Sequence, residues 1–395
     1  MLSSSRSIVA GLLAVNTGSS SVKLALYQNG APLTELCRIS VEPIGGPGTR
    51  IRSTSARGPT TNEPIAAMDH RTALLSALDY ARRTFGFSAE AVGHRVVHGG
   101  VKHVTPERIN DALLSDLRTL TRVDPEHMPQ ALEAVAAIAE HYPEVPQVAC
   151  FDTAFHRTMP TVAQRYALPQ WTADAGVRRY GFHGLSCEFI VSRLAEFEPA
   201  TLGGRSLIAH LGNGASITAV QRGVSVETTM GFSPTGGVIM GTRSGDLDPT
   251  VLTFLGRTAH KDFDALDRLT NHESGLLGVS GLSSDVRVLL DASTSASARE
   301  AIDLFCYTAR KYMGALAAVL DGVDTVVFTG GIGEHAPVIR DGICRGLGHL
   351  GIRLDPERNA SNADIISASE SAAIVRVIAT DEEFVIAKHV QHLLG

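Results

Sequence analysis

Two segments of the chain place glycine and small polar residues between two apolar runs. The first extends from Leu13 to Leu26 around the turn Asn16 to Ser21, and the second extends from Leu207 to Val220 around Gly212 to Gly214. Glycine lets a backbone approach a ligand closely, while hydroxyl and amide groups offer hydrogen bonds without filling volume. Each segment is therefore predicted to form a strand, a tight turn and a second strand that together fit a phosphate chain.

These two hairpins, one in each half of the chain, predict two similar domains that hold a nucleotide polyphosphate from opposite sides of a cleft. The chemistry indicated is phosphoryl transfer, although the chain contains no GxxxxGK[ST] phosphate loop. Gly346 to Gly351 has the GxGxxG spacing of a dinucleotide site, but it follows a helical pattern and precedes the extended segment Ile352 to Asp355. That motif needs a strand before it and a helix after it, so no dinucleotide site is predicted here.

Three further segments supply fixed positive charge, which phosphoryl transfer needs where negative charge accumulates. Arg95 lies in a strand-like segment that ends in a glycine turn, and His183 sits among glycines before a predicted helix. Arg243 lies in the long glycine-rich loop from Met230 to Pro249, and such loops are usually binding elements. All three are candidate site residues; the alternatives are a structural ion pair for Arg95 and a structural role for His183.

Carboxylates provide the counterpart of these cations. Asp152 follows the predicted strand Gln147 to Phe151, where its side chain is expected to project into a cleft, and Glu382 and Glu383 precede the last predicted helix. Magnesium that is bound to phosphate requires oxygen ligands and keeps most of its water shell. These carboxylates are candidate metal ligands, and the alternative for the two glutamates is that they only favour the N-terminus of the helix.

Hydrophobic spacing predicts the elements that position these residues. The alternation of strands with helices predicts an α/β fold in two lobes. From Pro43 to Pro64, a high content of Pro, Gly, Ser and Thr predicts a surface loop or a pair of irregular strands. The strand Thr325 to Thr329 is predicted to run into a turn from Gly330 to Glu334, a position where parallel sheets bind ligands. The predicted helices are Asp69 to Phe85, Gln130 to Tyr142 and Arg299 to Leu320.

The amino-acid composition limits the classes of protein to which the chain can belong. The 395 residues are 44% apolar and carry a net charge of −6, from 35 basic and 41 acidic residues spread along the chain. This composition is typical of a compact protein of about two domains and does not favour a nucleic-acid-binding surface. The 5 cysteines are widely spaced and form no metal-ligand pair, which fits a reducing cytoplasm.

The N-terminal apolar run does not indicate export. Ile8 to Val15 passes directly into the Asn16 turn without a small-residue cleavage site, so it is predicted as a first strand. No apolar stretch reaches the roughly 20 residues that span a bilayer, so no membrane association is predicted.

Seven motifs together make the sequence similar to the acetate kinases, a family in the superfamily of sugar kinases, actin and the large heat-shock chaperones. The resemblance extends from about Ile8 to His389. The motifs are NTGSSSVK (16 to 23), GHRVVHGG (93 to 100), FDTAFHRTMP (151 to 160), YGFHG (180 to 184), HLGNGAS (210 to 216), MGTRSGDLDP (240 to 249) and FTGGIGE (328 to 334).

The resemblance implies two similar ribonuclease H-like lobes of the actin-like ATPase fold with a nucleotide cleft between them. Residues 1–151 with about 382–395 would form the N-terminal lobe, and residues 152–381 would form the C-terminal, nucleotide-binding lobe. It also implies a homodimer and reversible transfer of the ATP γ-phosphoryl group to acetate or a similar small carboxylate, giving acetyl phosphate and ADP. The metal would be Mg²⁺, with Mn²⁺ as an alternative.

The resemblance also assigns roles by matching positions. Asn16 and Glu382 would hold the metal, and Asp152, His183, Arg243 and Arg95 would form the catalytic cluster. Arg95, Val97, Phe182 and Pro234 would contact the small acid. The residues that would receive the nucleotide are Lys23, Ser19, Ser21, His210, Leu211, Gly212, Asn213, Gly214, Asp285, Val286, Arg287, Gly331, Ile332, Gly333, Glu334 and His335.

Elementary chemistry indicates whether the implied reaction needs a general base. Acetate is already ionised at neutral pH, so no general base is required, and Asp152 is expected to act through magnesium or by orienting its neighbours.

The chain departs from the family at Glu126-His127-Met128, at Thr235-Gly236-Gly237 and at His335, and Glu126 replaces an apolar residue of the methyl pocket. A propionate or other short-chain fatty acid kinase is therefore the nearest alternative. The remote alternative is a nucleotide-dependent switch without a small-molecule product.

Overall fold

The computed structural model describes residues 9–46, 48–55, 58–197 and 204–394. Ile8, at which the predicted first strand begins, lies outside these residues. Two compact units are present: the first comprises the described parts of Met1–Ala154 and Asp381–Gly395, and the second comprises the described part of Phe155–Thr380. They are called the first and second unit below.

The first unit is built on an eight-stranded sheet with the strand order β5-β4-β3-β2-β1-β6-β8-β7. Strands β1 and β2 form the antiparallel hairpin predicted around the Asn16 turn, and β6 and β8 continue the sheet in parallel with β1. The strands are β1 (Val9–Thr17), β2 (Val22–Gln28), β3 (Thr34–Glu42), β4 (Arg50–Ser55), β5 (Gly58–Pro64), β6 (Phe87–Val96), β7 (Glu107–Arg108) and β8 (Gln147–Phe151).

Helices α1 (His70–Phe85), α2 (Asp111–Thr119) and α3 (Met128–His141) belong to this unit. Local sequence explains the limits of α1: the Asp69 carboxylate accepts a hydrogen bond from the Thr72 amide (2.7 Å), and Gly86 ends the helix in a left-handed conformation (φ 65°). The buried face of α1 packs in one core with the apolar residues of β1 to β3. The predictions for α1, α3 and β8 are confirmed.

The second unit contains a five-stranded sheet with the order β11-β10-β9-β12-β13. Its strands are β9 (Arg205–Leu211), β10 (Ala215–Gln221), β11 (Val224–Thr228), β12 (Thr325–Thr329) and β13 (Ile374–Val377). Its helices are α4 (Thr161–Gln164), α5 (Gln170–Asp174), α6 (Gly184–Phe197), α7 (Pro249–Thr258), α8 (Phe263–His272), α9 (Gly275–Ser280), α10 (Val286–Asp291), α11 (Ala296–Val319), α12 (Gly330–His335), α13 (Pro337–Cys344) and α14 (Pro356–Ala360). The C-terminal helix α15 (Glu382–Leu394) belongs to the first unit.

Both sheets contain the same five-strand pattern. In the first unit β3-β2-β1 is an antiparallel meander to which β6 and β8 add in parallel, and in the second unit β11-β10-β9 is the meander to which β12 and β13 add in parallel. The second predicted hairpin is β9 and β10. The α/β fold with a repeated plan, predicted from the two hairpins, is confirmed.

Some local predictions need correction. The segment Gly330 to Glu334, predicted as a turn, begins α12 directly after β12; Gly330 has a φ of 75°, and a Cβ there would lie 2.7 Å from the Leu211 carbonyl oxygen. Glu382 and Glu383 lie in the first turn of α15 rather than before it. Within the segment from Pro43 to Pro64, the described residues include the antiparallel pair β4 and β5, so the strand alternative is correct.

Helix α11 is the 24-residue element predicted from the apolar stripe between Arg299 and Leu320. Its stripe is buried at Phe305, Ala309 and Met313, as expected for core residues. Among the described residues, no helix combines the length and apolarity that crossing a membrane requires.

Candidate active site

In the first unit, Arg95 and Asp152 are joined at the ends of two adjacent parallel strands. Arg95 is near the end of β6 and Asp152 directly follows β8, with the Asp152 amide donating to the Val96 carbonyl (3.0 Å). The Arg95 guanidinium donates from Nε (3.0 Å) and Nη2 (2.5 Å) to the same oxygen, Oδ2 of Asp152. The sheet register therefore brings together two residues that are 57 positions apart.

The other oxygen of Asp152 is the notable feature of this pair. The side chain is fully buried, and Oδ1 has no hydrogen-bond partner among the described residues. Burial alone would lower the pKa of the Arg95 guanidinium, but the carboxylates of Asp152 and Glu382 raise it above its usual value. Arg95 thus remains charged, and a buried carboxylate oxygen remains available to a ligand, water or metal ion.

Asn16 connects this pair to the acidic residues of α15. Its Nδ2 donates to Glu382 Oε2 (3.1 Å) and Glu383 Oε1 (2.8 Å), and its Oδ1 accepts from Arg95 Nη1 (3.2 Å). Glu382 Oε2 also lies 3.8 Å from Arg95 Nε. The first unit thus holds one continuous network that contains both predicted metal ligands and two of the predicted catalytic residues.

Sequence reasoning missed two members of the surroundings of this network, Arg38 and Asp381. Arg38, on β3, donates to Glu383 Oε2 (3.2 Å), to Glu35 (3.0 Å) and to Asp381. Burial opposes the charge of Arg38, but Glu35 and Asp381 raise the pKa of its guanidinium. The acidic run from Asp381 onwards was a usable signal, whereas nothing in the sequence around Arg38 indicates a contact 345 positions away.

The oxygen atoms of this network fit magnesium that arrives with phosphate. Glu382 offers carboxylate oxygens, Asn16 an amide oxygen, and Asp152 its buried Oδ1. Within the described residues there is no group of three or more His, Cys, Asp or Glu side chains arranged to hold a metal ion. Mg²⁺ typically takes only one or two carboxylates and completes its shell with water and phosphate oxygens, so the residues present fit this mode of binding.

The turn of the first hairpin is tightly closed. The Gly18 amide donates to the Ser21 carbonyl (2.8 Å), and His70 Nε2 donates to the Gly18 carbonyl (2.7 Å). Ser19 is exposed, Ser21 is half-buried, and Lys23 is exposed opposite Asn16 in the strand register. The predicted phosphate-binding groups of the hairpin are therefore accessible next to the acidic network.

In the second unit, His183 is held directly before α6. It adopts a left-handed conformation (φ 58°), which is strained for a residue other than glycine. Its Nδ1 lies 3.0 Å from Ser216 Oγ, and its ring stacks on that of His210 with centroids 4.2 Å apart. An outlying backbone conformation that hydrogen bonding and stacking maintain is typical of functional sites.

The second hairpin lies against His183 and Arg243. A Cβ on Gly214 would be 3.1 Å from His183 Nε2 and 3.5 Å from Arg243 Nη1, so glycine permits this close approach. Arg243 Nη1 also donates to the Pro234 carbonyl (3.3 Å). The structure thus brings together a predicted catalytic histidine, a predicted catalytic arginine and the predicted phosphate hairpin.

The remaining predicted nucleotide residues lie on two helices of the second unit. Asp285 caps α10, and hydrogen bonds from the side chain and amide of Arg287 lower the pKa of its carboxyl group. On α12, Gly331 and His335 are exposed and Ile332 is half-buried, whereas Gly333 and, on α10, Val286 are buried. The Glu334 Oε1 accepts from the amides of Gly330 (2.9 Å) and Thr380 (3.2 Å), so this carboxylate has a structural function.

The predicted methyl-pocket residues are all apolar and buried: Val97 in the first unit, and Phe182 and Pro234 in the second. The loop that departs from the family lies in the first unit. His127 Nδ1 is 2.9 Å from Oδ1 of the buried Asp124, and Met128 is buried in a core cluster with Val96 and Phe151. Core packing therefore explains Met128, while Glu126 is half-buried in the turn before α3.

Two buried histidines to which sequence reasoning assigned no role form hydrogen bonds next to predicted site residues. His156 Nε2 donates to the Phe182 carbonyl (2.9 Å), next to His183, and His94 Nε2 donates to Gln147 Oε1 (2.7 Å), next to Arg95. Burial lowers the pKa of each imidazole from 6.5 to about 4. Both are therefore neutral hydrogen-bonding groups in the folded protein.

These pKa values predict a loss of stability in mild acid. Between about pH 6.5 and 4 the unfolded chain binds protons at His94 and His156 that the folded chain does not, so their stabilising effect is complete above pH 6.5 and is lost as the pH falls towards 4. Hydrogen–deuterium exchange at the imidazole C2 position, followed by mass spectrometry, should give midpoints below pH 5 for both residues. The same residues in urea-unfolded protein should titrate near 6.5, and a midpoint there in the folded protein would contradict the prediction.

Comparison with known proteins agrees with this geometry. Residues 11–388 match the profile of the Acetokinase family. The acetate kinase of Rhodopseudomonas palustris is 43% identical over 390 residues, which cover 97% of this chain and 98% of that protein. The crystal structure of Porphyromonas gingivalis acetate kinase has 37% identity and a TM-score of 0.86, covering 98% of this chain and 100% of that one. A propionate kinase from Francisella tularensis has 33% identity and a TM-score of 0.89, covering 97% of this chain and 99% of that one.

The fold is that of the actin-like ATPase kinases, which confirms the predicted fold class. The chain belongs to the acetokinase family. The resemblance noted from the seven motifs is thereby confirmed, as is the prediction that the protein is an enzyme of the kinase class.

Proposed function

We propose that this protein transfers the γ-phosphoryl group of ATP to acetate, reversibly, giving acetyl phosphate and ADP. The observation that carries the proposal is the network in which Arg95 joins Asp152 to Asn16 and Glu382. It places a fixed cation, a buried carboxylate oxygen without a hydrogen-bond partner and a metal-compatible pair of oxygen ligands in one unit. The acetate kinases to which the chain is similar support the choice of acceptor.

The reaction needs charge neutralisation more than proton transfer. The acetate oxygen attacks the γ-phosphorus in line while the bond to the ADP oxygen breaks, and acetate is already ionised because its pKa is near 4. Arg95, Arg243 and His183 stabilise the negative charge on the transferred group and align the attack. Asp152 accepts two N–H groups of Arg95 on one oxygen, so it orients the guanidinium rather than acting as a base.

Nucleotide binding is assigned to groups that the two hairpins and two helices present. Asn16 and Glu382 would hold Mg²⁺, or Mn²⁺ in its place, and the ion would supply neutralisation of phosphate oxygens. Lys23, Ser19 and Ser21 offer side-chain donors from the first hairpin. Leu211 is buried and contributes through its backbone. The other proposed nucleotide residues are His210, Gly212, Asn213, Gly214, Asp285, Val286, Arg287, Gly331, Ile332, Gly333, Glu334 and His335.

Val97, Phe182 and Pro234 are proposed to enclose the methyl group of the acid. An apolar pocket discriminates one methylene by only about 1 to 3 kcal/mol, so some activity towards propionate is expected. The similarity to a propionate kinase makes that acid the second candidate substrate.

Further proposals concern organisation. We propose that residues 1–151 with about 382–395 form the N-terminal lobe, that residues 152–381 form the nucleotide-binding lobe, and that two chains form a homodimer. A cytoplasmic location is proposed as well, since the cysteines are present as buried thiols, which fits a reducing compartment.

Acyl phosphate formation tests the proposed function. The protein is incubated with MgATP, hydroxylamine and acetate, propionate or butyrate, and the hydroxamate is quantified over a range of acid concentrations. We expect kcat/KM to be highest for acetate and lowest for butyrate. Preference for a longer acid would move the function within the family and implicate Glu126 in the acyl pocket. Absence of product with every acid would overturn the proposal.

A further inference from the structure

Thr380, the last residue of the second unit before α15, is hydrogen-bonded through both its backbone and its side chain. Its amide donates to Glu334 Oε1 (3.2 Å), the same oxygen that accepts from the Gly330 amide at the start of α12. Its hydroxyl donates to Ser186 Oγ (2.8 Å), on α6. The hydrogen bond of the amide fixes the Thr380 backbone, and the hydrogen bond of the hydroxyl fixes its side chain.

The chain of hydrogen bonds continues from Ser186 to His210. Ser186 Oγ lies 2.8 Å from His210 Nδ1, and the His210 ring stacks on that of His183. A hydroxyl group has a single hydrogen to donate. Because Thr380 donates to Ser186, the hydrogen of Ser186 is left for another acceptor, and His210 Nδ1 lies 2.8 Å away to accept it.

This direction decides what His210 presents to a ligand. A neutral imidazole that accepts at Nδ1 carries its hydrogen on Nε2. The Nε2 atom lies towards the turn of the second hairpin, 3.9 Å from the position of a Cβ on Gly212. With its hydrogen on Nε2 the ring donates to a phosphate oxygen, whereas the other tautomer would direct a lone pair at the anion.

We propose that Ser186 and Thr380 are positioning residues that hold His210 in its Nε2–H tautomer, so that it donates a hydrogen bond to the nucleotide phosphates. This inference rests on the proposed function, because that function assigns the second hairpin to the nucleotide. Glu334 supports this arrangement, because its Oε1 accepts hydrogen bonds from the amides of both Thr380 and Gly330, the first residue of α12.

Selective ¹⁵N labelling of histidine tests the tautomer directly. The two imidazole nitrogens have different NMR shifts when one carries the hydrogen, and the His210 signals are assigned by their loss in His210→Gln. We expect the Nε2–H tautomer in the unaltered protein and a mixture of tautomers in Ser186→Ala. A pure Nδ1–H tautomer in the unaltered protein, or an unchanged tautomer in Ser186→Ala, would overturn the inference.

Nucleotide affinity provides the second readout. Ser186→Ala should weaken MgADP binding by about tenfold, the equivalent of one hydrogen bond to a charged group, while KM for acetate stays unchanged. Thr380→Val should shift both tautomer and affinity in the same direction, and Thr380→Ser should restore both. The matched control is Ser192→Ala on the same helix, whose hydroxyl donates to the Phe189 carbonyl and which should leave both readouts unaltered.

A double variant separates positioning from general destabilisation. If Thr380 acts through Ser186, adding Thr380→Val to Ser186→Ala should not weaken MgADP binding further, whereas two independent effects would add. Additive losses would therefore contradict the inference. Failure of the proposed function would be distinguishable, because the NMR signals report the tautomer even in a protein that forms no acyl phosphate.

Discussion

Replacing Arg243 by alanine is expected to lower kcat by about a thousandfold with little change in the stability of the fold. Arg243 lies in the glycine-rich loop, where its Nη1 donates to the Pro234 carbonyl and approaches Gly214 of the second hairpin. In the proposed reaction its charge offsets the negative charge that builds up when an anion attacks a polyphosphate. A thousandfold loss corresponds to about 4 kcal/mol of transition-state stabilisation.

Steady-state hydroxamate assays and urea unfolding measure the two quantities separately. Arg243→Lys keeps the charge but not the planar fork of donors, so an intermediate rate is expected. Arg299→Ala removes an exposed arginine at the start of α11 and serves as the matched control. Near-normal turnover of Arg243→Ala would show that the electrostatic account of catalysis is wrong.

Arg95 should behave differently from Arg243, although the sequence alone suggests the same effect for both. Asp152 is fully buried and its Oδ2 accepts two hydrogen bonds from Arg95. Removing the guanidinium leaves a buried carboxylate without its cation, which typically costs about 3 to 5 kcal/mol of stability. A loss of activity in Arg95→Ala would therefore combine catalysis with folding, and Arg243 is the cleaner test.

The second large effect is expected at Arg340, a fully buried arginine on α13. Its guanidinium donates to the carbonyls of Gly333 (2.8 Å) and Glu334 (3.0 Å), at the end of α12. It also donates to the side chain (2.8 Å) and carbonyl (2.7 Å) of Asn359 and to Asn362 Oδ1 (2.6 Å). Burial among these neutral oxygens lowers the pKa of Arg340 to about 10.

Arg340→Met preserves much of the side-chain volume but removes every donor. Several buried oxygens then lack hydrogen bonds, and we expect the free energy of unfolding to fall by on the order of 4 kcal/mol. Because two of these oxygens end α12, amide hydrogen exchange in residues 330–335 should accelerate even under conditions where the protein remains folded.

Urea unfolding and exchange mass spectrometry provide the measurements for Arg340. Arg345→Met is the matched control, because Arg345 directly follows the same helix, is exposed and pairs with Asp341. That variant should unfold at almost the same urea concentration as the unaltered protein. Equal stability of Arg340→Met would mean that the buried donors contribute nothing to the position of α12.

The correction at α12 shows why a local prediction can be wrong. Three of the first four residues of α12 are glycine, a composition that indicates a turn when read alone. The helix forms because Glu334 accepts from the Gly330 amide at its start and Arg340 donates to its last carbonyls. Glu334 lies within the segment that was predicted as a turn, whereas Arg340 lies 7 and 6 positions beyond the two carbonyls to which it donates, outside that segment.

The sequence by itself determined the features that depend on neighbouring residues. The two hairpins follow from apolar strands around glycine turns, α1 follows from its Asp69 cap and Gly86 terminator, and α11 follows from its apolar stripe. Motifs within short segments were sufficient to identify the family and to name Arg95, Asp152, His183 and Arg243 as candidates.

Tertiary structure alone decided how these segments meet. Asn16 contacts Glu382 across 366 positions, Arg38 contacts Glu383 across 345, and Thr380 contacts Ser186 across 194. Strand pairing and helix packing create such contacts, and neither the unmatched Oδ1 of Asp152 nor the contact between Ser186 and His210 is encoded in any short segment. A pattern of residue types specifies local conformation and chemistry, whereas the partner of each polar group depends on the fold of the whole unit.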